Sequence, residues 1–175
     1  MSQQIVKKLK IGPHHTQVAC VMFSSAGMTS TAFNLKRYKE QGDVLKAIGE
    51  LESWGGTTAI GTGILYGLNQ TEEREGARPE IATRVMIVFT DGWNNKGEDP
   101  MESAKKATDL GFEVYTVGYT GEIKDMVRTN MTTLAAIAED EAHSFTDKTL
   151  DKLIDKVAER NAPCMNGGVA SGSGS

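Results

Sequence analysis

Five consecutive apolar residues, Val85-Met-Ile-Val-Phe89, run from Arg84 into Thr90-Asp91-Gly92. A strand with one wet face alternates apolar and polar side chains. This run does not alternate, so it needs cover on both faces, the condition of a parallel strand between layers of helix. The rest of the chain supplies that cover. Thr16–Ser24 reads as a β-rich run after the turn signal Gly12-Pro13, and a weaker strand is expected over residues 30–35. Val44, Leu45, Ile48 and Leu51 recur at helical spacing within residues 41–53, and Gly55-Gly56-Thr57-Thr58 breaks that helix. Ile64, Leu65 and Leu68 mark the next one.

Asp99-Pro100 opens a further helix, with Asp99 as N-cap and proline at the first position. Gly111 ends it. Phe112–Tyr119 is another strand, residues 134–138 a helix, Ala142–Phe145 a short strand, and Leu150, Leu153, Ile154 and Val157 the last helix. This order predicts an α/β fold, a Rossmann-like open and mostly parallel sheet with helices on both faces. The domain is expected over residues 1–164, with a flexible Gly/Ser tail at 165–175.

Composition narrows the function classes. Hydrophobic residues make up 39%, enough for a packed core, while the net charge of −4 carries no basic stripe of the kind that binds nucleic acid. No apolar run approaches the roughly 18 residues of a membrane span. The opening stretch MSQQIVKKLKIGPHH lacks a signal peptide's apolar segment. Cys20 and Cys164 are expected as unpaired thiols, since Cys20 sits inside an apolar strand. His14 and His15 fall in a turn and read as solvated, and His143 as structural. Gly61-Thr-Gly63-Ile-Leu-Tyr-Gly67 has the wrong spacing for a dinucleotide loop, so helix packing explains it better. Asn69-Gln-Thr71 and Asn130-Met-Thr132 fit the glycosylation sequon. No Ser-His-Asp or Cys-His set can be located.

Ligands of open α/β sheets bind at the carboxyl ends of the strands. There the sequence places Asp91, and a hydroxyl-rich turn with Thr57 and Thr58 opens a helix. One carboxylate beside hydroxyls suits a hard, oxygen-ligated cation such as Mg²⁺. The same residues are equally what an Asp-Gly turn and a threonine helix cap require.

IVKKLKIGPHHTQVACVMFSS, DVLKAIGELESWGGTTAIGTGI, RVMIVFTDG and GFEVYTVGYTG, in that order, resemble successive pieces of a von Willebrand factor type A domain from about Ile5 to Ala162. The resemblance implies a metal-ion-dependent adhesion site, with Thr58 and Asp91 at metal-site positions and Gly61 matching the glycine after the threonine. The family opens with a central strand ending in Asp-x-Ser-x-Ser. Here Ile5–Ile11 resembles the last turns of the helix that follows it, so the first strand and its ligand triplet have no counterpart at that place. The strands at 16–24 and 84–90 are then expected to close on each other or to associate with another chain.

What the resemblance implies is a non-enzymatic adhesion module, extracellular, with an incomplete site holding Mg²⁺ or Mn²⁺ weakly. Its partner would be a matrix or cell-surface protein, contacted by Trp93, Asn94 and Asn95, with no nucleic acid and no membrane insertion. The alternative is a metal-independent assembly module associating through the open sheet. A phosphoester hydrolase using Asp91 ranks last, for want of a second acid or base beside it.

Overall fold

The computed structural model describes residues 1–25, 27–52, 58–94, 96–121 and 128–160. The elements are α1 (Ser2–Val6), β1 (Cys20–Met22), β2 (Ser30–Phe33), α2 (Gln41–Gly49), α3 (Ile60–Leu68), β3 (Arg84–Phe89), α4 (Pro100–Asp109), β4 (Phe112–Gly118), α5 (Met131–Ile137), β5 (Ser144–Thr146) and α6 (Leu150–Arg160). The tail expected at 165–175, together with Cys164, lies outside the described residues.

The apolar run forms β3 as its pattern requires, parallel to β4 in unbroken register from Arg84–Phe112 to Phe89–Val117. β5 continues the sheet in parallel. Alternation then sorts the side chains between two helical layers. Val85, Ile87 and Phe89 face Tyr115, Val117 and Phe145 with α1 and α6. Met86 and Val88 face Ile60 and Ile64 of α3, Ala104 and Ala107 of α4, and Ile137 of α5. The Asp99 carboxylate caps α4, accepting from the N–H groups of Met101 and Glu102, with Pro100 at the first turn. Gly111, at φ +82°, turns the chain out of that helix in the left-handed region.

The first strand is shorter than its sequence pattern. Only Cys20–Met22 pairs, antiparallel to β2 and with an irregular register between Cys20 and Val21, so the run from Thr16 is spent mostly on the approach. The Cys20 thiol is free, and burial raises its pKa.

Closure of the two sheet edges does not occur. β1–β2 and β3–β4–β5 are separate hydrogen-bonded sheets, and β1 and β3 share no ladder. Packing of the helical layers accounts for this. On one face α3 rests on both sheets: a Cβ on Gly63 would stand 2.5 Å from the Phe23 ring, and one on Gly67 would stand 2.9 Å from the Met86 methyl. On the other face, Ile5 and Leu9 join the cluster over β4 and β5, while Val6 joins Phe33 and Val44. The same two helical segments therefore pack against both sheets. Among the described residues, no helix is long and apolar enough to cross a membrane.

Candidate functional site

At the carboxyl end of β3, Thr90 and Asp91 lead into Gly92, whose φ of +82° excludes most side chains. A Cβ there would also meet the Asn130 carbonyl oxygen at 2.6 Å. The turn is held by Asp91 itself. Its Oδ1 accepts the Trp93 N–H at 3.0 Å, and its backbone carbonyl accepts the Asn130 N–H at 2.7 Å. Trp93 remains 42% exposed although its indole N–H donates to the Arg128 carbonyl at 2.7 Å. An aromatic face is thus presented to solvent with its orientation already fixed.

Asn94 reaches across to the neighbouring turn. Its Oδ1 accepts the Ile60 N–H at 2.9 Å, satisfying an otherwise unpaired donor at the start of α3. Thr58, half-buried, lies two residues before that bond, and the Ala59 N–H ties the same turn to the Ser24 carbonyl at 2.7 Å. The structure therefore brings the segments of Thr58, Asp91, Trp93 and Asn94 to one edge of the molecule, through Asn94 and Ser24 rather than through a bond between Thr58 and Asp91. Asn95 lies outside the described residues. Tight packing seats this loop on α3: a Cβ on Gly97 would stand 2.5 Å from the Thr62 hydroxyl oxygen, and one on Gly61 would press into the Glu98 carbonyl.

Two residues at this edge have structural roles that the sequence did not suggest, Asn130 having been read there only as part of a glycosylation sequon. Asn130 closes the Asp91 turn, and its side chain caps α5 by accepting the Thr133 N–H at 3.2 Å. The Asn-x-x-Thr spacing just before an apolar helical run was the available signal. Asp147, beyond β5, accepts both the hydroxyl and the N–H of Thr120, at 2.7 and 2.6 Å. The Thr120 hydroxyl holds that carboxyl below the ordinary aspartate range. A cleft of about 310 Å³ opens beside the loop, lined by Trp93, Asn94, Asp99, Met101, Asn130 and Thr133.

A hard cation takes six or more oxygen ligands. Here Asp91 supplies one carboxylate, already engaged by the Trp93 amide, and Thr58 one hydroxyl. Among the described residues, no group of three His, Cys, Asp or Glu side chains converges to hold a metal. These residues fall short of a complete site, and any cation would keep most of its water.

The sequenced and solved relatives agree with the fold. A family model described as von Willebrand factor type A domain matches residues 1–160. Human Matrilin-1 is 31% identical over 167 residues, covering 92% of this chain and 32% of that protein. Chicken Matrilin-1 is 32% identical over 127 residues, covering 71% of this chain and 24% of that protein. The chain thus spans about a quarter to a third of these curated relatives. Proximal thread matrix protein 1 from the mussel byssus superposes with a TM-score of 0.76 at 26% identity, covering 91% of this chain and 40% of the other. A second structure of that mussel protein, with a TM-score of 0.75, is described as having a zinc-occupied MIDAS motif.

Proposed function

The chain belongs to the von Willebrand factor type A family, and from that premise we propose that it is a non-enzymatic protein-binding module of an extracellular matrix or cell-surface assembly. The observation that carries this reading is Trp93. It is exposed, yet pinned through its backbone by Asp91 and through its indole by Arg128. A large aromatic whose rotamer is already paid for is what interface anchors have in common. Asn94 would extend the contact from the adjoining rim. Matrilins and a byssal matrix protein among the relatives support a matrix setting.

Asp91 and Thr58 would contribute to a weak Mg²⁺ or Mn²⁺ site at most, so partner binding is expected to survive removal of the cation. The zinc-occupied MIDAS motif of the mussel protein supports divalent-cation binding, and the short donor set here argues that it is attenuated. The test is binding of the chain to a panel of immobilised matrix proteins, in Mg²⁺ and in EDTA. Trp93→Ala should weaken the bound signal by about tenfold, as loss of an anchoring aromatic does. Equal binding by Trp93→Ala would sink the proposal. Binding abolished by EDTA and by Asp91→Ala would instead restore a cation-dependent mechanism.

A second reading is favoured by one observation. Among the described residues β1 and β3 each pair along one edge, so either can accept a strand from another chain. Self-association in EDTA that rises with concentration would support an assembly role. A monomer throughout the accessible concentration range would remove it.

A further inference from the structure

We infer that the chain carries a second polypeptide-binding site, a polar cleft along the free edge of β2 that takes an extended segment bearing a carboxylate. The cleft, of about 540 Å³, is walled on one side by Thr31, Ala32 and Phe33 of β2. Gln70, Arg74 and Glu75, from the 3₁₀ turns that follow α3, form the other side, and Asn34 and Arg37 complete it. It lies apart from the loop that carries Asp91 and Trp93, and shares no lining residue with the cleft there.

Gln70 points to a ligand. The residue is only 8% exposed, and its Oε1 has no hydrogen-bond partner. Buried polar atoms are nearly always paired, because leaving one dry forfeits its hydration without return. Gln70 lines the cleft, so a rotation of its side chain would present this unpaired acceptor to an incoming N–H. The facing strand offers the rest of a peptide's needs. β2 pairs with β1 along one edge, and its other edge has no strand partner among the described residues. Ser30, Thr31 and Ala32 are exposed, and the strand carries neither the proline nor the lysine that commonly blocks an edge.

Charge at the cleft is unevenly neutralised. Arg74 pairs with Glu72 and Glu75, and the Glu75 carboxylate also accepts the Asn34 amide at 2.8 Å. Arg37 has no ion pair among the described residues. Its guanidinium sits 5.5 Å from the centre of the Tyr38 ring, a cation–π contact that limits its orientations. A guanidinium so placed favours a carboxylate, which it binds through two parallel N–H groups. Backbone N–H for Gln70, strand pairing for β2 and an acidic side chain for Arg37 describe one ligand: an extended acidic peptide.

The probe is the capped heptapeptide acetyl-Thr-Val-Thr-Glu-Val-Thr-Val-amide, titrated into the isotope-labelled chain in EDTA and read by amide chemical shifts. Shifts should centre on Thr31–Phe33 and on the Gln70 side chain. Arg37→Glu, at an exposed position that should leave folding intact, should weaken binding by about tenfold, as should replacing the peptide's glutamate with lysine. Gln70→Leu should also weaken it, whereas Trp93→Ala should leave it unchanged, which separates this site from the strand-end loop. Shifts elsewhere, equal binding of the lysine peptide, or no effect of Arg37→Glu would each overturn the proposal. Acetate alone reproducing the whole pattern would overturn it too, leaving a small-carboxylate site and no strand pairing.

Discussion

Replacing Gly61 by alanine measures how firmly the loop after β3 is seated on α3. In an isolated helix the change would be favourable, by about 1 kcal/mol. In this protein the added Cβ would stand 2.7 Å from the Glu98 carbonyl carbon and closer still to its oxygen, with the Asp99 carbonyl oxygen at 3.0 Å. Ordinary contact begins at 3.4 Å, so the Glu98 backbone must retreat by at least 0.7 Å (3.4 less 2.7). Backbone displacement by an overpacked methyl costs about 1–3 kcal/mol, which exceeds the helical gain over most of that range. The net expectation is a loss of about 1 kcal/mol, or roughly 2–4 °C in Tm for a chain of this size. Gly42→Ala is the matched control, since Gly42 lies in α2 with nothing within 4 Å of the new methyl. It should gain about 0.5–1 kcal/mol. Urea unfolding followed by far-ultraviolet circular dichroism reads both variants. If Gly61→Ala proves as stable as Gly42→Ala, the loop yields freely and the account of a rigid strand-end edge fails.

Two further outcomes follow from the same contacts. Asn94→Ala leaves the Ile60 N–H without its acceptor and should cost about 1 kcal/mol, the usual effect of losing a helix N-cap, seen as a lower urea midpoint with unchanged slope. Acid should destabilise the protein through Glu113, whose carboxyl the Arg160 guanidinium holds below its ordinary value of 4.5, with the Tyr115 hydroxyl assisting against the opposing effect of burial. The unfolded chain takes up that proton at a higher pH than the folded one, so this contribution is complete above about pH 4.5 and is lost as pH falls through the folded value. Arg160→Met should flatten that part of the stability profile, and an unchanged acid limb would exclude the pair as its source.

What was legible in the sequence was what local pattern determines. Val85–Phe89 had to be a doubly covered strand, Asp99-Pro100 had to start a helix, and the Leu150, Leu153, Ile154 and Val157 stripe had to face the core. Strand-end placement of Asp91 followed from the same reasoning. What was not legible depends on partners distant in the chain. Asn94 caps a helix 34 residues earlier, and the Gln70 Oε1 beside β2 has no hydrogen-bond partner among the described residues. The run from Thr16 has strand composition throughout, yet only Cys20–Met22 joins β2, while Thr16 makes an isolated bridge to Ile11. β1 and β3 have the apolar content to close on each other, yet they lie in separate sheets with α3 packed on Phe23 and Met86, an arrangement that no local pattern records.

The division of the sheet has a consequence for how the molecule comes apart. Within a ladder, breaking one backbone hydrogen bond weakens the next, so a continuous sheet tends to open as one cooperative unit. Among the described residues no ladder joins the β1–β2 hairpin to the β3–β4–β5 block, and the two communicate through side-chain packing, such as that of Phe23 in one cluster with Met86 and Val88 and of Ile11 against both sides. Hairpin opening is therefore a local event, opposed by the burial of a few residues such as Phe33 and Val44 rather than by the stability of the whole domain. The parallel block, with Thr116 and Val117 at 0–1% exposure and Leu153 of α6 equally buried against it, is the unit that persists longest. Amide exchange through partial opening should then divide the chain into two foldons, with the boundary falling between the two sheets.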